Sequence, residues 1–410
     1  MDIRISPSVL NGDLNIPASK SCAHRAVICA ALADGISKLS GITMSKDIEA
    51  TIGAMTALGA SFEINGNCVT VKGISRCTDT TADIDCNESG STLRFIIPVA
   101  AALGINSIFR GQGRLPQRPI DIYLRELKKH DITFHADKMP YEISGRLTGG
   151  RYEIEGNVSS QFITGLLFAL PLVNEDSEII MTSHLESRPY VDITIDILRR
   201  FGIEITETEN SFHIKGGQRY TPFDEHIEGD YSQAAFFFVA NALGSKVNIL
   251  NLKENSVQGD KAIKDIIADT MKNGSISGYK ADCSDIPDLV PILSVLGAYG
   301  SNKSVIFNAE RLRIKESDRL AACADMLNNL GGNVTVTPDG LEIIPSDGLH
   351  SGTVDSFGDH RIVMAAAIAA LACKGDVIIR GAEAAEKSYP TFFEDYTRLG
   401  GKADVIDMEQ

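Results

Sequence analysis

The sequence predicts an α/β protein of two similar lobes, each built from three repeated units around a buried helix. Three observations predict this fold class. Six helix-like stretches are apolar on nearly every face, and a helix that is apolar all round is a buried helix. Each stretch follows a short polar segment, and these segments recur at a nearly fixed spacing. A second helix and two strand-like runs then follow each buried helix.

The polar segments recur with steps of 70, 70, 70, 56 and 73 residues. A repeated period of this kind is the signature of an internally repeated fold. The first turn of a helix presents unpaired N–H groups and a partial positive charge, so each of these helix starts favours anions. The six segments begin at Ser19, Ser89, Ser159, Gly229, Asp285 and Gly358.

The first unit shows the predicted order of elements most clearly. Residues 2–5 and 12–16 are predicted strands, and the buried helix follows Pro17. Residues 46–58 form an amphipathic helix that ends at Gly59, a C-cap. Two alternating runs around an Asn65-Gly66 turn predict a hairpin. The same helix–strand–strand motif recurs in the other units, with Asp131 replacing the glycine in one copy and MKNGSISGYKAD as a reduced copy.

The length of 410 residues exceeds one ordinary core, which favours two domains. With three units in each lobe, we predict the boundary between the two lobes near residues 225–230. Because the chain starts outside the first buried helix, its first strand is assigned to the second lobe. We therefore predict a first lobe of residues 19–228 and a second lobe of residues 1–18 plus 229–410.

The net charge and the pattern of cysteines limit the partners that the protein can bind and the cellular compartment that suits it. The net charge of −15 argues against a nucleic-acid or anionic-membrane partner, so an anionic ligand must meet a local cationic site. The apolar helices are too short to span a membrane, and the start MDIRISPSVL predicts no signal peptide, so we expect a cytoplasmic protein. Without any C-x-x-C motif, buried free thiols in a reducing compartment are favoured over disulfides or zinc. The cysteines are Cys22, Cys29, Cys68, Cys77, Cys86, Cys283, Cys323 and Cys373.

Cations, hydroxyls and small residues gather at the helix starts of the first lobe. Taken singly, each is also explained by helix capping or by ordinary solvent exposure. Arg118 precedes a proline and is therefore predicted on extended backbone. The other first-lobe candidates are Lys20, Ser21 and Arg25, then Gly90 with Ser91, Thr92 and Arg94, then Ser159, Ser160 and Gln161.

The second lobe adds carboxylates to its cations. If a helix begins at Lys315, that residue shares a face with Arg319, with Glu316 beside them. Asp288 stands at a helix start, where capping is the alternative. The segment Asp359-His360-Arg361 carries more ionisable groups than capping requires, and Lys387 precedes an amphipathic C-terminal helix.

If these helix starts converge, the cations and carboxylates suit phosphorylated or carboxylated small molecules and acid–base chemistry. The sequence has no P-loop lysine, no G-x-G-x-x-G after a strand, no H-E-x-x-H and no EF-hand loop. We therefore predict neither a nucleotide cofactor nor a metal.

An ordered set of motifs along the whole chain resembles the 5-enolpyruvylshikimate-3-phosphate synthase family. The motifs are PASKSCAHRA, SGSTLRF, RPI at 118, SSQFITGLL, SRPYVDITID, EGDYSQAAFF, IPDLVP, RIKESDRL, GDHRIVMA and KSYPTFF. The resemblance implies two lobes, each an inside-out α/β barrel of three units, with the active site in the interdomain cleft. It further implies a monomeric, cytoplasmic, cofactor-free transferase of the shikimate pathway that is a target of glyphosate.

The resemblance also implies the reaction and the residues. The enolpyruvyl group of phosphoenolpyruvate passes to the 5-hydroxyl of shikimate 3-phosphate, and phosphate is released. Asp288 takes the hydroxyl proton, and Glu316, helped by Lys20, protonates the methylene carbon. Shikimate 3-phosphate is assigned to Lys20, Ser21, Arg25, Ser159, Ser160, Gln161, Ser187, Asp288 and Lys315. Phosphoenolpyruvate is assigned to Lys20, Gly90, Arg118, Gln161, Arg319, Arg361 and Lys387.

Two alternatives stay open. UDP-N-acetylglucosamine 1-carboxyvinyltransferase shares the fold and donor, but its first motif has lysine followed by asparagine and its loop carries a cysteine. Here Ser21 follows Lys20, and the loop RLPQRPI has no cysteine. A non-catalytic phosphate-binding module would not need Asp288 and Glu316 together.

Overall fold

A computed structural model describes residues 1–74, 81–272 and 274–406. Its internal contacts divide the chain into two compact units, each with its own hydrophobic core. We name Ala18–Glu228 the first lobe, and Met1–Pro17 together with the chain from Gly229 onward the second lobe. The first boundary lies one residue before the predicted position, because the Ala18 N–H already donates to Thr43 Oγ1 of the first lobe, at 3.0 Å.

The strands are short and lie mostly in four-stranded sheets. In chain order they are β1 (Asp2–Ser6), β2 (Asn11–Asn15), β3 (Ile36–Ser40), β4 (Ser61–Asn65), β5 (Cys68–Lys72), β6 (Thr81–Asp85), β7 (Asn106–Arg110), β8 (Ile132–Phe134), β9 (Tyr141–Gly145), β10 (Gly150–Ile154), β11 (Ser177–Met181), β12 (Ile205–Glu207), β13 (Ser211–Ile214), β14 (Glu225–His226), β15 (Lys246–Leu250), β16 (Met271–Lys272), β17 (Ser275–Ile276), β18 (Lys280–Asp282), β19 (Ser304–Phe307), β20 (Asn333–Val336), β21 (Leu341–Ile344), β22 (His350–Asp355), β23 (Lys374–Arg380) and β24 (Lys402–Ile406).

The helices alternate between buried and partly exposed along the chain. Within the described ranges, none of them combines the length and the apolar character needed to cross a bilayer. In chain order they are α1 (Lys20–Leu32), α2 (Lys46–Ala57), α3 (Gly90–Leu103), α4 (Asp121–Glu126), α5 (Ser160–Ala169), α6 (Arg188–Arg200), α7 (Tyr231–Ala242), α8 (Ile263–Thr270), α9 (Val290–Ala298), α10 (Arg319–Asn329), α11 (His360–Ala370) and α12 (Phe392–Arg398).

The first lobe contains three sheets of the same design. Their strand orders are β14-β3-β5-β4, β6-β7-β9-β8 and β10-β11-β13-β12. In each, the first two strands are parallel and the other neighbours are antiparallel. In the second and third sheets the parallel strands flank a buried helix, α3 or α5. In the first sheet β14, from the end of the lobe, pairs with β3.

The second lobe repeats this design with one reduced unit. Two sheets have the orders β18-β19-β21-β20 and β22-β23-β1-β24, again with one parallel pair each. The strand β1 lies between β23 and β24, so the start of the chain completes a second-lobe sheet. In its described residues, the third unit has the parallel pair β15-β2 and the two-residue strands β16 and β17. The strands β16 and β17 lie in the segment predicted as a reduced copy.

The apolar helices lie inside the lobes because every face of them is apolar. In α11, each residue from His360 to Ala370 is buried. Close packing between α3 and α5 requires Gly165, since a β-carbon there would overlap the Arg94 carbonyl oxygen and the Tyr123 hydroxyl. That hydroxyl donates to the carbonyl oxygens of Arg94 and Phe162 at 2.8 and 2.9 Å, joining the two helices.

One local feature of the repeat holds in the structure, and the position of one turn differs from the prediction. Asp131 has φ of 64°, the left-handed conformation for which glycine is usual, as its place in the repeat predicted. The hairpin loop is Gly66-Asn67 rather than Asn65-Gly66, because Asn65 pairs with Cys68.

Most of the described cysteines are buried free thiols, as expected, but Cys68 is exposed because it points to the solvent side of β5. The prediction for Cys77 lies outside the described residues. The buried thiols are Cys22, Cys29, Cys86, Cys283, Cys323 and Cys373.

Candidate active site

The first group of predicted residues lies at the start of α1. Ser19 caps this helix, since its Oγ accepts a hydrogen bond from the backbone N–H of Cys22. Half-buried Lys20 pairs with Asp47 of α2, with 2.9 Å between Nζ and Oδ2. An anion that binds beside Ser21 would therefore either share the Lys20 ammonium with the Asp47 carboxylate or displace that carboxylate from Lys20.

Arg25 lies one turn further along α1 and is only 3% exposed. Its Nε donates to Thr194 Oγ1 at 2.8 Å, and its terminal nitrogens donate to the carbonyl oxygens of Ser21 and Tyr190 at 2.7 and 2.8 Å. Burial lowers the pKa of Arg25 to about 10, so its guanidinium stays charged at neutral pH. The bonds to Thr194 and Tyr190 hold the Arg25 side chain against α6, the helix that begins directly after Ser187.

Gly90 and Arg118 are in direct contact. Gly90 is the first residue of α3, and Arg118 has extended backbone, as predicted, with φ of −76° and ψ of 135°. A β-carbon on Gly90 would lie 2.7 Å from the central carbon and both terminal nitrogens of the Arg118 guanidinium. The missing side chain therefore allows the buried guanidinium to lie against the start of α3.

Gln161 is oriented by neighbours on two sides. Arg94 Nη1 donates to its Oε1 at 2.7 Å, and its Nε2 donates to Ser91 Oγ at 3.0 Å. Ser159 caps α5 by accepting from the Gln161 backbone N–H at 3.3 Å, and Ser160 is buried beside it. Capping thus accounts for Ser159 but not for the fixed orientation of the Gln161 amide.

We call these residues the first-lobe cluster: Lys20, Ser21, Arg25, Gly90, Arg118, Ser159, Ser160, Gln161 and Ser187. The predicted second-lobe residues form a second group, the second-lobe cluster: Asp288, Lys315, Glu316, Arg319, Arg361 and Lys387.

Arg319 is the centre of the second-lobe cluster and is 1% exposed. Its Nη1 lies 3.1 Å from Asp288 Oδ1, and its Nη2 lies 2.7 Å from Glu316 Oε2. Its Nε lies 2.9 Å from Oδ2 of the fully buried Asp359. Burial favours loss of the proton, but these three carboxylates outweigh it and raise the pKa of Arg319 above its ordinary value.

Asp288 lies between two arginines. Its Oδ2 accepts from Arg361 Nη2 at 2.8 Å, and its backbone oxygen accepts from Arg361 Nη1 at 3.2 Å. Burial favours the neutral acid, but Arg361, Lys315 and Arg319 outweigh burial and hold the pKa of Asp288 well below its usual range. The ionised Asp288 carboxylate therefore forms ion pairs with both arginines. The short 3₁₀ turn Pro287–Leu289 places it at the start of α9.

No helix begins at Lys315, so the condition under which Lys315 and Arg319 would share a helical face is not met. A 3₁₀ turn, Glu310–Ile314, ends just before Lys315, whose backbone is extended, with φ of −84° and ψ of −156°. The helix α10 begins only at Arg319, because Asp318 Oδ1 caps it by accepting from the Ala321 N–H at 3.1 Å. Lys315 and Arg319 belong to the same cluster through their carboxylate neighbours instead.

Two lysines complete the second-lobe cluster. Burial lowers the pKa of Lys315 to about 8, although the Asp288 and Glu316 carboxylates oppose this shift. Lys387 Nζ donates to the Gly358 carbonyl oxygen at 3.0 Å, next to Asp359.

Three further carboxylates contact these clusters or act on them through charge, and the sequence assigned no role to them. Asp47 pairs with Lys20, and Asp359 with Arg319. Asp260 is buried and accepts from the Ser232 hydroxyl; burial and the nearby Asp288 charge raise its pKa to about 7. Asp359 stood in the ionisable segment before α11, whereas no local pattern distinguishes Asp47 or Asp260 from other acidic residues.

The two clusters differ in their chemistry. The first-lobe cluster offers cations, hydroxyls and an amide, which bind phosphate, carboxylate and hydroxyl groups. The second-lobe cluster adds carboxylates within hydrogen-bonding distance of its cations, which is the composition needed for proton transfer next to a bound anion.

The chain is similar to known proteins over nearly its whole length. The family model for EPSP synthase (3-phosphoshikimate 1-carboxyvinyltransferase) matches residues 5–396. The 3-phosphoshikimate 1-carboxyvinyltransferase of Clostridium novyi is 44% identical over 99% of both chains, and that of Clostridioides difficile is 42% identical over 99% of both.

Solved structures share the fold at lower identity. The EPSP synthase of Acinetobacter baumannii has a TM-score of 0.83 and 23% identity, over 99% of this chain and 100% of its own. The enolpyruvyl transferase NikO of Streptomyces tendae has a TM-score of 0.79 and 16% identity, over 98% of both chains. On the family match and the curated relatives, the chain belongs to the EPSP synthase family of transferases, the 3-phosphoshikimate 1-carboxyvinyltransferases.

Proposed function

We propose that the chain transfers the enolpyruvyl group of phosphoenolpyruvate to the 5-hydroxyl of shikimate 3-phosphate in the shikimate pathway, which leads to the aromatic amino acids. The observation that carries this proposal is the second-lobe cluster, in which Asp288 bridges two arginines and Glu316 shares one of them. Family membership supplies the reaction, and the cluster supplies the groups that the reaction needs. Release of phosphate that depends on shikimate 3-phosphate tests the proposal.

The two substrates divide the clusters between them. Shikimate 3-phosphate is assigned to the cations and hydroxyls around α1, α5 and α6, together with Asp288 and Lys315; these first-lobe residues are Lys20, Ser21, Arg25, Ser159, Ser160, Gln161 and Ser187. Phosphoenolpyruvate is assigned to Lys20, Gly90, Arg118, Gln161, Arg319, Arg361 and Lys387. Arg25, Arg319 and Arg361 are buried and held by hydrogen bonds before an anion binds, which favours stabilisation of a charged transition state.

The chemistry requires two proton transfers to form a tetrahedral intermediate and a third to break it down. The oxygen of the 5-hydroxyl bonds to the central carbon of phosphoenolpyruvate and gives up its proton to Asp288. The methylene carbon gains a proton from Glu316, helped by Lys20, which yields a tetrahedral intermediate. Phosphate then leaves while one proton of the new methyl group returns to the Glu316 carboxylate, and the double bond forms again, now on the new ether.

Asp288 is ionised in the free protein, as a base must be, but its arginine partners make it a weak base. Phosphoenolpyruvate carries a phosphate and a carboxylate that attract Arg319 and Arg361. A donor that draws those cations onto itself weakens their hold on Asp288 and raises the proton affinity of the carboxylate. Donor binding would thus prepare Asp288 for its task.

We further propose a cytoplasmic monomer that acts on these small molecules without a nucleic-acid or membrane partner. The net charge of −15 supports the absence of nucleic-acid and anionic-membrane partners, because it opposes binding to polyanionic surfaces. The alternative acceptor, UDP-N-acetylglucosamine, is distinguished by direct assay.

The pKa of Lys315 predicts a pH limit on acceptor capture. Since that pKa lies near 8, below the ordinary lysine value, the positive charge disappears as the pH rises through this range. We expect kcat/KM for shikimate 3-phosphate to fall above about pH 8, because this parameter reports ionisations of the free enzyme. Lys315→Arg keeps its charge and should remove this limb of the pH profile. A wild-type profile that stays flat to about pH 9.5 would contradict the assignment.

Gly90→Ala should weaken binding at the donor site. The added methyl group would overlap the Arg118 guanidinium and push it from its place. We expect the inhibition constant of glyphosate to rise about 10- to 200-fold, the usual range for one methyl group in a tight site, with a smaller rise in KM for phosphoenolpyruvate. Gly53→Ala is the matched control, since a β-carbon there on α2 meets open space. Equal glyphosate sensitivity of Gly90→Ala and wild type would argue against a donor site at Gly90.

A further inference from the structure

A chain of buried hydrogen bonds joins the first three helices of the first lobe. His24 Nδ1 of α1 lies 2.7 Å from Thr51 Oγ1 of α2, and Thr51 Oγ1 lies 2.7 Å from Thr92 Oγ1 of α3. Thr92 Oγ1 in turn donates to Ser89 Oγ at 2.8 Å. All four side chains are at most 1% exposed, so water does not compete for these bonds. The proposed function makes no direct use of His24, Thr51 or Thr92.

All hydrogen bonds of this series point in one direction, from His24 towards Ser89. Each hydroxyl carries a single hydrogen, and that of Thr92 goes to Ser89, so Thr92 must accept from Thr51. Thr51 has then used its own hydrogen and must accept from His24. His24 is therefore the neutral tautomer with its proton on Nδ1. Its buried Nε2 has no hydrogen-bond partner among the described residues, which agrees with a ring that carries no second proton.

Burial supports the neutral ring. Desolvation lowers the pKa of His24 to about 3, and the nearby Lys20 and Arg25 charges act in the same direction, against the opposite effect of Asp47. The chain of hydrogen bonds thus stays intact across the physiological pH range.

This series of hydrogen bonds reaches the first-lobe cluster at two points, Thr51 and Ser89. On α2, Thr51 lies one turn after Asp47. Its hydroxyl hydrogen, directed mainly to Thr92 at 2.7 Å, also makes a longer hydrogen bond to the Asp47 carbonyl oxygen at 3.3 Å, and the Asp47 carboxylate pairs with Lys20. On α3, Ser89 is the N-cap directly before Gly90, and its Oγ also accepts from the Thr92 N–H at 3.1 Å. The hydrogen bonds therefore join α2, whose Asp47 carboxylate pairs with Lys20, to the turn that carries Gly90.

We propose that His24, Thr51 and Thr92 are positioning residues that fix the Lys20 ammonium relative to the Gly90 turn. This inference rests on the proposed function, in which both sites bind phosphoenolpyruvate. Apolar side chains of similar size would fill the same space between the helices, so packing alone does not require three linked polar groups. Displacement of a binding group by a fraction of an ångström to one ångström carries a large penalty in an enzyme site.

Thr92→Val tests the inference in the full chain, because valine keeps the shape of threonine and breaks the link to Thr51. We expect KM for phosphoenolpyruvate to rise about tenfold or more, with a smaller change in kcat. Thr92→Ser keeps the hydroxyl and should restore KM. Ser107→Ala is the matched control: it deletes a buried hydroxyl of the same lobe whose hydrogen-bond partner among the described residues is the Ile105 carbonyl oxygen, at 3.1 Å. A Thr92→Val enzyme that loses thermal stability as the control does, at unchanged KM, would overturn the inference.

The tautomer of His24 gives a second readout that needs no turnover. In ¹⁵N NMR spectra of histidine-labelled protein, with the signal assigned through His24→Gln, Nδ1 should carry the proton and Nε2 should not. A proton on Nε2 would overturn the directed chain of hydrogen bonds. If the wild-type chain released no phosphate, the proposed function would fail, while the tautomer would still report on this network.

Discussion

Asp288→Asn is expected to reduce turnover by about 10²- to 10⁴-fold, the usual loss for a positioned acid–base group. Asparagine keeps the size of the side chain but cannot take the 5-hydroxyl proton. The substitution also removes a negative charge from between Arg319 and Arg361, which lie 3.1 and 2.8 Å from the carboxylate oxygens. Both arginines then attract an anion more strongly. Steady-state kinetics should therefore show a low kcat with no rise in KM for phosphoenolpyruvate.

Asp285→Asn is the control for Asp288→Asn, because it makes the same change of charge three residues earlier. We expect it to retain turnover within about threefold of wild type, as a substitution away from the reacting atoms does. If Asp288→Asn bound both substrates and turned over near the wild-type rate, Asp288 would not be the base.

Arg319→Met should destabilise the second lobe by about 3–5 kcal/mol, since it removes one partner of a buried ion pair and leaves the other charged. The stranded partner is Asp359, which is fully buried and accepts from Arg319 Nε and from the Ser317 hydroxyl. Urea unfolding followed by circular dichroism measures the loss. Adding Asp359→Asn to the same chain should recover part of it, because the uncompensated charge is then gone.

Arg313→Met serves as the control for this stability prediction. Arg313 pairs with Asp318 at 3.4 Å, and both side chains are more than a third exposed. Such a surface pair contributes about 0–1 kcal/mol. Equal losses for Arg319→Met and Arg313→Met would mean that the buried network does not stabilise the lobe.

Much of the fold could be predicted because its signals are local and repeated. The helices α1, α3 and α11 are apolar on every face, so the sequence itself indicates burial. Asp131 takes the left-handed conformation because it stands where the other units use glycine. Serine or aspartate before a buried helix predicted the caps, as at Ser19 and Asp359.

The details that failed depend on contacts between distant segments. Spacing alone placed Lys315 and Arg319 on one helix, but capping by Asp318 delays the start of α10. The pairing of Lys20 with Asp47 depends on how α1 packs on α2, and the bond between Thr51 and Thr92 depends on the approach of α2 to α3. Such approaches are set by the whole lobe, so no short stretch of sequence reports them.

Phosphate release from phosphoenolpyruvate, followed in the presence of a metal chelator with each acceptor in turn, distinguishes the proposed transferase from the enzyme that uses the UDP-sugar. We expect turnover with shikimate 3-phosphate and none with UDP-N-acetylglucosamine, at a rate that added metal does not change. Turnover only with the UDP-sugar, or activity that the chelator abolishes and metal restores, would contradict this expectation.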